Sequence, residues 1–224
     1  DLIIVVSTKL PLVSIYSVKE KNTIVIALQL INYRANIINS VPIYRDDFFR
    51  VYMIIKEING KYPQIPNDCF IADNATIVGD VILGTQCSIW FNAVIRGDVH
   101  YIKIGNKVNI QDGAVIHATY LKHPTEIGNN VSIGHNAIVH GCTIKDNVLI
   151  GMGAIVMDNC IIESNSIIAA GAVVTQNTVV ESGVIYAGTP AKKVKDINAS
   201  DFAGEIERIS NNYVMYSSWF DKKE

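Results

Sequence analysis

Three of the five histidines, His117, His135 and His140, lie near one another in the chain and are candidate ligands for one metal ion. Neutral imidazoles bind zinc through a ring nitrogen at about 2.0–2.1 Å, and three such ligands leave a coordination position open. A single histidine is more often a surface residue than a ligand. The prediction of a zinc site on these three residues, with Arg96 and Asp98 beside it, therefore depends on how the fold arranges them.

The elements that position these histidines follow from a repeat of six residues. An aliphatic residue heads each unit and a small residue often follows four positions later, as in IADNAT and IGHNAI. This pattern is typical of a left-handed parallel β-helix, a prism in which aliphatic heads point inward and Gly or Asn turns the corners. The eighteen heads, which predict about six coils, are Ile65, Ile71, Ile77, Leu83, Ile89, Ile95, Ile104, Ile110, Ile116, Ile127, Ile133, Val139, Ile144, Ile150, Val156, Ile162, Ile168 and Val174.

The repeat places two of the histidines in one column. His117 follows the head Ile116 and His140 follows the head Val139, on the same face of successive coils. Neighbouring strands lie about 4.8 Å apart, which allows both imidazoles to bind one metal ion. Arg96 occupies the same column one coil earlier. This register requires the breaks in the repeat, near residues 101–103 and 119–126, to be outward loops.

The third histidine lies on another face. His135 is expected to stack on Asp112 and to point away from the other two histidines of its own chain. A neighbouring prism related by a threefold axis supplies it, so the sequence predicts a homotrimer with three equivalent sites. His100 and His123 fall in the predicted loops, where we expect solvated side chains rather than ligands.

Composition argues against two classes of partner. A net charge of −2 with 18% charged residues lacks the basic surface that nucleic acid requires. Apolar runs such as Thr23–Leu28 are far shorter than the roughly 20 residues that cross a bilayer, and the N-terminus lacks the pattern of a secretory signal. We expect neither nucleic acid nor membrane as a partner.

The four cysteines form two pairs with the spacing of one coil. Cys69 and Cys87 are 18 residues apart, as are Cys142 and Cys160. We interpret them as small inward-facing core residues rather than as disulfides or ligands. A reducing, cytoplasmic setting fits this interpretation.

The chain is predicted to have three segments: an N-terminal extension (1–52), the β-helix domain (53–198) and a C-terminal helix (199–224). The extension has no glycine and no hexapeptide phase, whereas all 15 glycines lie at Gly60 or later. It is interpreted as a variable extension or a product of upstream translation, with a small partner-binding segment as the alternative.

The C-terminal helix is predicted from a change of period. Ser200 or Asp201 can cap it, and its apolar stripe must pack against the side of the prism. The stripe, at steps of four and three, consists of Phe202, Ile206, Ile209, Tyr213 and Tyr216.

Three motifs resemble the gamma-class carbonic anhydrase family, and the resemblance extends from about Met53 to the C-terminal helix. The motifs are IRGDV at 95–99, NIQDGAVIH at 109–117 and SIGHNAIVHGC at 132–142. The resemblance implies a trimer with zinc, iron or cobalt between subunits, bound by His117 and His140 of one chain and His135 of the next.

The resemblance also implies roles for six further residues. Arg96 and Asp98 form an ion pair at the subunit contact, and Asp112 helps to fix the interface. Asn109 and Gln111 hold the reacting water and the substrate, and Tyr186 matches a tyrosine of the active site. The implied reaction is the reversible hydration of carbon dioxide to bicarbonate by hydroxide that the metal generates from water.

The sequence departs from the most active members of the family where protons leave the site. Val99 and Tyr120 occupy positions at which those members carry glutamates. Proton transfer then falls to His100, His123, Tyr120 or buffer, which implies a carbonic anhydrase-like lyase of low turnover.

Two other functions compete with this one. AGTPAKKV at 187–194 resembles the last coil of hexapeptide acyltransferases, which makes an acyltransferase or thioesterase acting on acyl-CoA the alternative enzyme. An acyltransferase needs one histidine as general base and no set of three. A non-catalytic trimeric scaffold subunit with a structural metal is the alternative outside enzymology.

Overall fold

The computed structural model describes residues 15–20, 23–28, 53–197 and 199–220, and the chain divides into two units, Asp1–Arg50 and Val51–Glu224. In the first unit, strands β1 (Ile15–Glu20) and β2 (Thr23–Leu28) form an antiparallel pair. The sequence did not predict these strands, since their apolar residues alternate over no useful length. The other residues of the predicted extension 1–52 lie outside the described residues.

The second unit is built from short strands followed by one helix. Most of these strands have two or three residues, the length that one side of a narrow prism allows. The strands are β3 (Ile54–Lys56), β4 (Phe70–Ile71), β5 (Thr76–Leu83), β6 (Ser88–Ile89), β7 (Val94–Ile104), β8 (Asn109–Ile110), β9 (Val115–His117), β10 (Thr125–Ile127), β11 (Ser132–Ile133), β12 (Ile138–His140), β13 (Thr143–Ile144), β14 (Leu149–Ile150), β15 (Ile155–Val156), β16 (Ile161–Ile162), β17 (Ile167–Ile168), β18 (Val173–Val174), β19 (Val179–Val180), β20 (Val184–Ala187) and β21 (Lys192–Asp196), and the helix is α1 (Ala199–Ser218).

The strands form a parallel β-helix, which confirms the predicted fold class. One face is an eight-stranded sheet in the order β21-β20-β17-β14-β11-β8-β6-β4, and an eleven-stranded sheet forms the other two faces because β5 and β7 continue across a corner. Within the eight-stranded sheet, only β21 runs antiparallel to its neighbour. The seven parallel strands of this face define about seven turns. The sequence predicted about six, because its repeat was counted only between Ile65 and Val174.

The interior is filled by the predicted aliphatic heads. Heads such as Ile110, Ile133 and Ile162 are fully buried, and the alanines four positions after many of the heads are also buried. Cys87, Cys142 and Cys160 are buried and Cys69 is half-buried, all as free thiols. The prediction that the cysteines are core residues is therefore confirmed.

The corners of the prism and the two breaks in the repeat test the predicted register. Asparagine provides eight of the eleven described non-glycine residues with positive φ, as expected for corners. The break predicted at residues 101–103 is wrong in position, because Ile102 stays in β7 and pairs with Val81. The bulge instead comprises residues 98–101, four residues opposite Asp80, so that three are extra and the inward position is left to Ile102. The second break forms a turn closed by Thr119 and His123.

Helix α1 packs on the eight-stranded face against β6 and β11. Its residue Ile206 is buried, and the buried Ser210 hydroxyl donates a hydrogen bond to the Lys107 carbonyl at 3.0 Å. The Trp90 ring contacts the Tyr213 ring with centroids 5.4 Å apart. The predicted packing of the helix is confirmed, although the side chain of Phe202 and residues 221–224 lie outside the described part. No helix among the described residues has both the length and the apolar character needed to cross a membrane.

Candidate metal centre

His117 and His140 lie side by side on β9 and β12. The two residues are register partners of parallel strands, as the column in the sequence predicts. Nδ1 of His117 is 3.0 Å from Nε2 of His140, and the ring centroids are 5.0 Å apart. The two histidines therefore present one nitrogen each to a common point.

A carboxylate faces the outer nitrogen of each ring. Oδ1 of Asp98 lies 3.0 Å from Nε2 of His117, and Oδ1 of Asp158 lies 2.7 Å from Nδ1 of His140. An ionised carboxylate only accepts hydrogen bonds, so both outer nitrogens must carry the protons. The two inner nitrogens are then both lone-pair acceptors directed at each other. A metal ion bound to both nitrogens would satisfy both lone pairs.

The pKa shifts fit this arrangement. Burial and the nearby positive charge of Arg96 lower the pKa of His117, although the hydrogen bond to Asp98 opposes them. Burial raises the pKa of Asp98, but hydrogen bonds from Arg96 and His117 outweigh it, and the pKa lies below its usual value. A neutral imidazole beside an ionised carboxylate is the state in which histidine binds metal ions.

The donor set therefore fits a zinc ion. Two nitrogens bound tetrahedrally to one zinc at about 2.0–2.1 Å lie about 3.3 Å apart, close to the 3.0 Å found here. The carboxylate behind each ring is the usual partner of a metal-binding histidine. In the described part of one chain, however, no three such side chains converge on one point. The paired-histidine cluster (His117, His140, Asp98 and Asp158) thus supplies only part of the ligand set that a zinc ion requires.

Backbone packing holds the paired-histidine cluster in place. The buried Thr125 hydroxyl donates to the carbonyl of His117 and accepts from the Gly141 N–H at 3.0 Å, which ties the two histidine-bearing coils together. The Arg96 guanidinium donates to Asp98 at 2.6 Å, the predicted ion pair. Gly97 between them admits no side chain, since a Cβ would lie 2.6 Å from the Asp80 carbonyl oxygen.

A second group surrounds His135 at the corner after β11. Nδ1 of His135 lies 2.9 Å from Oδ2 of Asp112, the residue on which the sequence predicts it to stack. Gln111 donates to Oδ1 of Asn109 at 2.9 Å, and Asn109 donates to the Ser132 hydroxyl at 2.7 Å. In this His135 cluster (His135, Asp112, Gln111 and Asn109) the carboxylate faces Nδ1, so Nε2 is the nitrogen of the neutral imidazole that can bind a metal ion. The His135 side chain is 42% exposed and so remains accessible to a second chain.

Tyr186 is not brought together with the other predicted site residues of its chain. It is the register partner of Ile168, three turns beyond β11, and packs against the hydrophobic core. Tyr186 occupies the head position of its unit, as Ile168 does one turn earlier, and heads point into the prism.

Three residues of the site were missed by sequence reasoning: Asp158, Thr119 and Thr125. Thr119 donates to Asp158 at 2.8 Å. The distance of 18 residues from His140 to Asp158, one coil, was the available signal. It was missed because Asp158 lies one position beyond the histidine column.

Tyr213 of α1 also approaches the His135 cluster, and burial and the Asp112 charge raise its pKa to about 12.

Comparison with protein families gives a match to the bacterial transferase hexapeptide (six repeats) family over residues 62–97 and 141–176. A carbonic anhydrase from Geobacillus kaustophilus is 44% identical over 167 residues, which cover 75% of this chain and 91% of the relative. The mitochondrial gamma carbonic anhydrase 1 of Arabidopsis thaliana is 37% identical over 76% of this chain and 63% of its own length.

A solved structure with the same fold is described as an acetyltransferase and not as a carbonic anhydrase. A putative acetyltransferase from Bacillus cereus superposes with a TM-score of 0.72 at 39% identity, over 75% of this chain and 96% of the other.

Proposed function

Because the chain belongs to the gamma-class carbonic anhydrase family, we propose that it hydrates carbon dioxide reversibly to bicarbonate at a zinc ion shared by two subunits of a homotrimer. The ligands are His117 and His140 of one subunit and the partner subunit's His135. The observation that carries the proposal is the pair of inner ring nitrogens 3.0 Å apart, with a carboxylate at the outer nitrogen of each ring. The same donors accept iron(II) or cobalt(II).

The surface beside the two clusters supports assembly into a trimer. From Val94 onwards, the outer column of the histidine-bearing face is apolar, and Ile138 in it is 37% exposed in the single chain. Its other members are half-buried: Val94, Val115, Ile155 and Val173. Apolar surface at the centre of a patch with charged residues such as Arg96 nearby is typical of subunit interfaces. A threefold axis here brings the His135 cluster of one subunit to the paired-histidine cluster of the next.

Residues of the two clusters have different roles in the proposed hydration. A divalent cation on neutral imidazoles supplies a nucleophile at neutral pH by lowering the pKa of water to about 7. Gln111, held by Asn109, orients the reacting molecules, and Asp98 and Asp112 keep the histidines in their binding orientation. Of the side chains that the sequence offers for proton transfer, His100 lines a cavity of about 300 Å³ that also reaches Asp98. The roles of Arg96 at the subunit contact and of Tyr186 stay predictions from the resemblance.

The four free cysteines support a cytoplasmic setting for this enzyme. Three of them are buried in the core, and neighbouring coils bring Cys69 close to Cys87 and Cys142 close to Cys160. A reducing compartment keeps such thiols from forming disulfides.

Removal and return of the metal tests the proposal. We expect the zinc-loaded chain to accelerate carbon dioxide hydration in a stopped-flow pH-indicator assay, and the chelator-treated chain to lose this activity. Returning zinc should restore it, whereas magnesium, which prefers oxygen ligands, should not. Equal rates for the loaded and the metal-free chain would contradict the proposal.

The putative acetyltransferase among the structural relatives makes acyl transfer the second candidate. Against it, each of three histidines is paired with a carboxylate, whereas acyl transfer requires one histidine as a general base. Release of thiol from acetyl-CoA by the metal-free chain, without carbon dioxide hydration by the loaded one, would favour this alternative. A loaded trimer inactive in both assays would favour a scaffold.

A further inference from the structure

We propose that Asp158 is a positioning residue that holds the His140 imidazole in its metal-binding tautomer, and that the space for its carboxylate is provided by Gly141. This inference rests on the proposed function, because it assigns His140 to a metal ion. Asp158 is not itself a ligand, since its carboxylate lies on the far side of the ring from the shared point.

The first support is the direction of the hydrogen bond. Oδ1 of Asp158 lies 2.7 Å from Nδ1 of His140, whereas Nε2 of the same ring faces His117. A carboxylate at Nδ1 fixes the proton there and leaves Nε2 as the lone-pair donor. Without this acceptor, the proton is free to move to Nε2, which then no longer binds a metal ion.

The second support is that Asp158 is itself held from another coil. The Thr119 hydroxyl donates to the same oxygen atom, Oδ1, at 2.8 Å. Thr119 lies two residues after His117 in the sequence. The Asp158 carboxylate therefore connects the segment that follows His117 to the imidazole ring of His140. Hydrogen bonds to both Thr119 and His140 therefore fix the position of the Asp158 carboxylate.

The third support is the residue that follows His140. Gly141 has φ of +55°, and a Cβ built on it would collide with Oδ1 of Asp158. Its N–H is also bound by the Thr125 hydroxyl, which prevents the backbone from moving away. A side chain at position 141 would therefore collide with the carboxylate that faces His140, and its Cβ would also lie 3.0 Å from the Cβ of His123.

Asp146, which lies 12 residues and two strands earlier, offers a matched comparison. Its Oδ1 accepts from the Asn129 backbone N–H at 2.6 Å and from the Asn129 amide at 3.1 Å, as a corner residue of the solenoid does. Asp158 accepts from two side chains instead. An aspartate kept only to shape a corner would resemble Asp146, so the two can be separated experimentally.

Zinc affinity is the main measurement, made on the full chain by competition with a chromophoric chelator. Asp158→Ala should weaken zinc binding about 10–100-fold, the usual effect of losing a carboxylate behind a histidine ligand. Asp158→Asn keeps a neutral acceptor of the same shape, about half as strong, and should lose only about 3–10-fold. Asp146→Ala should leave zinc affinity unchanged.

A double-mutant cycle tests the part played by Gly141. Gly141→Ala alone should weaken zinc binding about as much as Asp158→Ala, roughly 10–100-fold. In the Asp158→Ala background it should cause almost no further loss, because the carboxylate that it displaces is already absent. Independent, additive losses from the two substitutions would overturn the role of Gly141.

The tautomer provides a readout that does not need the metal. Long-range proton–nitrogen NMR correlations of the metal-free, histidine-labelled chain should show the His140 proton on Nδ1, and on Nε2 in Asp158→Ala. A parent and an Asp158→Ala chain with the same tautomer and the same zinc affinity would overturn the inference. Hydration is measured separately, so loss of zinc in Asp158→Ala without any hydration by the parent would support the inference and contradict the proposed function. A parent that binds no zinc would overturn both.

Discussion

A His140→Ala chain should fold and assemble but should bind zinc at least about 100-fold more weakly than the parent. Zinc sites with four protein ligands are worth about 10–16 kcal/mol, or roughly 3 kcal/mol for each ligand. Removing His140 also leaves Nδ1 of His117 without the partner nitrogen that lies 3.0 Å away in the parent. Hydration of carbon dioxide should fall with the metal content, because the remaining residues supply no comparable nucleophile.

Zinc per chain, measured by elemental analysis after dialysis against a weak chelator, checks this result. His100→Ala is the matched control, since His100 lies in the bulge of β7 and is not a proposed ligand. We expect about one zinc per chain in the parent and in this control, and almost none in His140→Ala. A His140→Ala chain that keeps one zinc would exclude the paired-histidine site.

The second large effect is expected in the interior of the prism. Ile162→Ala should lower the free energy of unfolding by about 2–5 kcal/mol, through lost burial and the cavity that remains. Ile162 is fully buried in β16 and faces the axis, where the narrow interior leaves neighbouring coils little freedom to close the gap. Domains are stable by about 5–15 kcal/mol, so this is a large fraction of the total.

The preceding residue of the same strand is the control. Ile161 faces outward and is half-buried, so Ile161→Ala should lower the free energy of unfolding by less than about 1 kcal/mol. Urea unfolding at one fixed protein concentration compares the two variants, since the stability of an oligomer depends on concentration. Equal losses in the two variants would contradict the assignment of inward and outward positions.

The register of the repeat was predictable because it is enforced by burial. Heads at a period of six have to share a narrow interior, so the phase of one coil determines the phase of the next. That constraint was enough to predict the stacking of His117 on His140 and the stacking of His135 on Asp112. It was also enough to exclude His135 from the pair within one chain.

Features that do not depend on the inward column were not predictable. The three extra residues of β7 were assigned to 101–103, whereas they lie within 98–101, because a break in a repeat shows how many residues are added and not where they leave the strand. Asp158 was missed since its side chain reaches His140 from a neighbouring position. The strands β1 and β2 were missed because nothing in their sequence alternates. The metal and the trimer stay predictions, as they concern more than one chain.

The claim that two subunits share each site is tested most directly by mixing two defective variants. His135→Ala retains the paired histidines and His140→Ala retains the third ligand, so each alone should bind almost no zinc. After refolding together in equal amounts, about three quarters of the trimers contain both variants, and each of these has one intact site of three. We expect the mixture to regain about one quarter of the zinc and of the hydration activity of the parent. A mixture that binds no more zinc than its separate components would contradict the shared site.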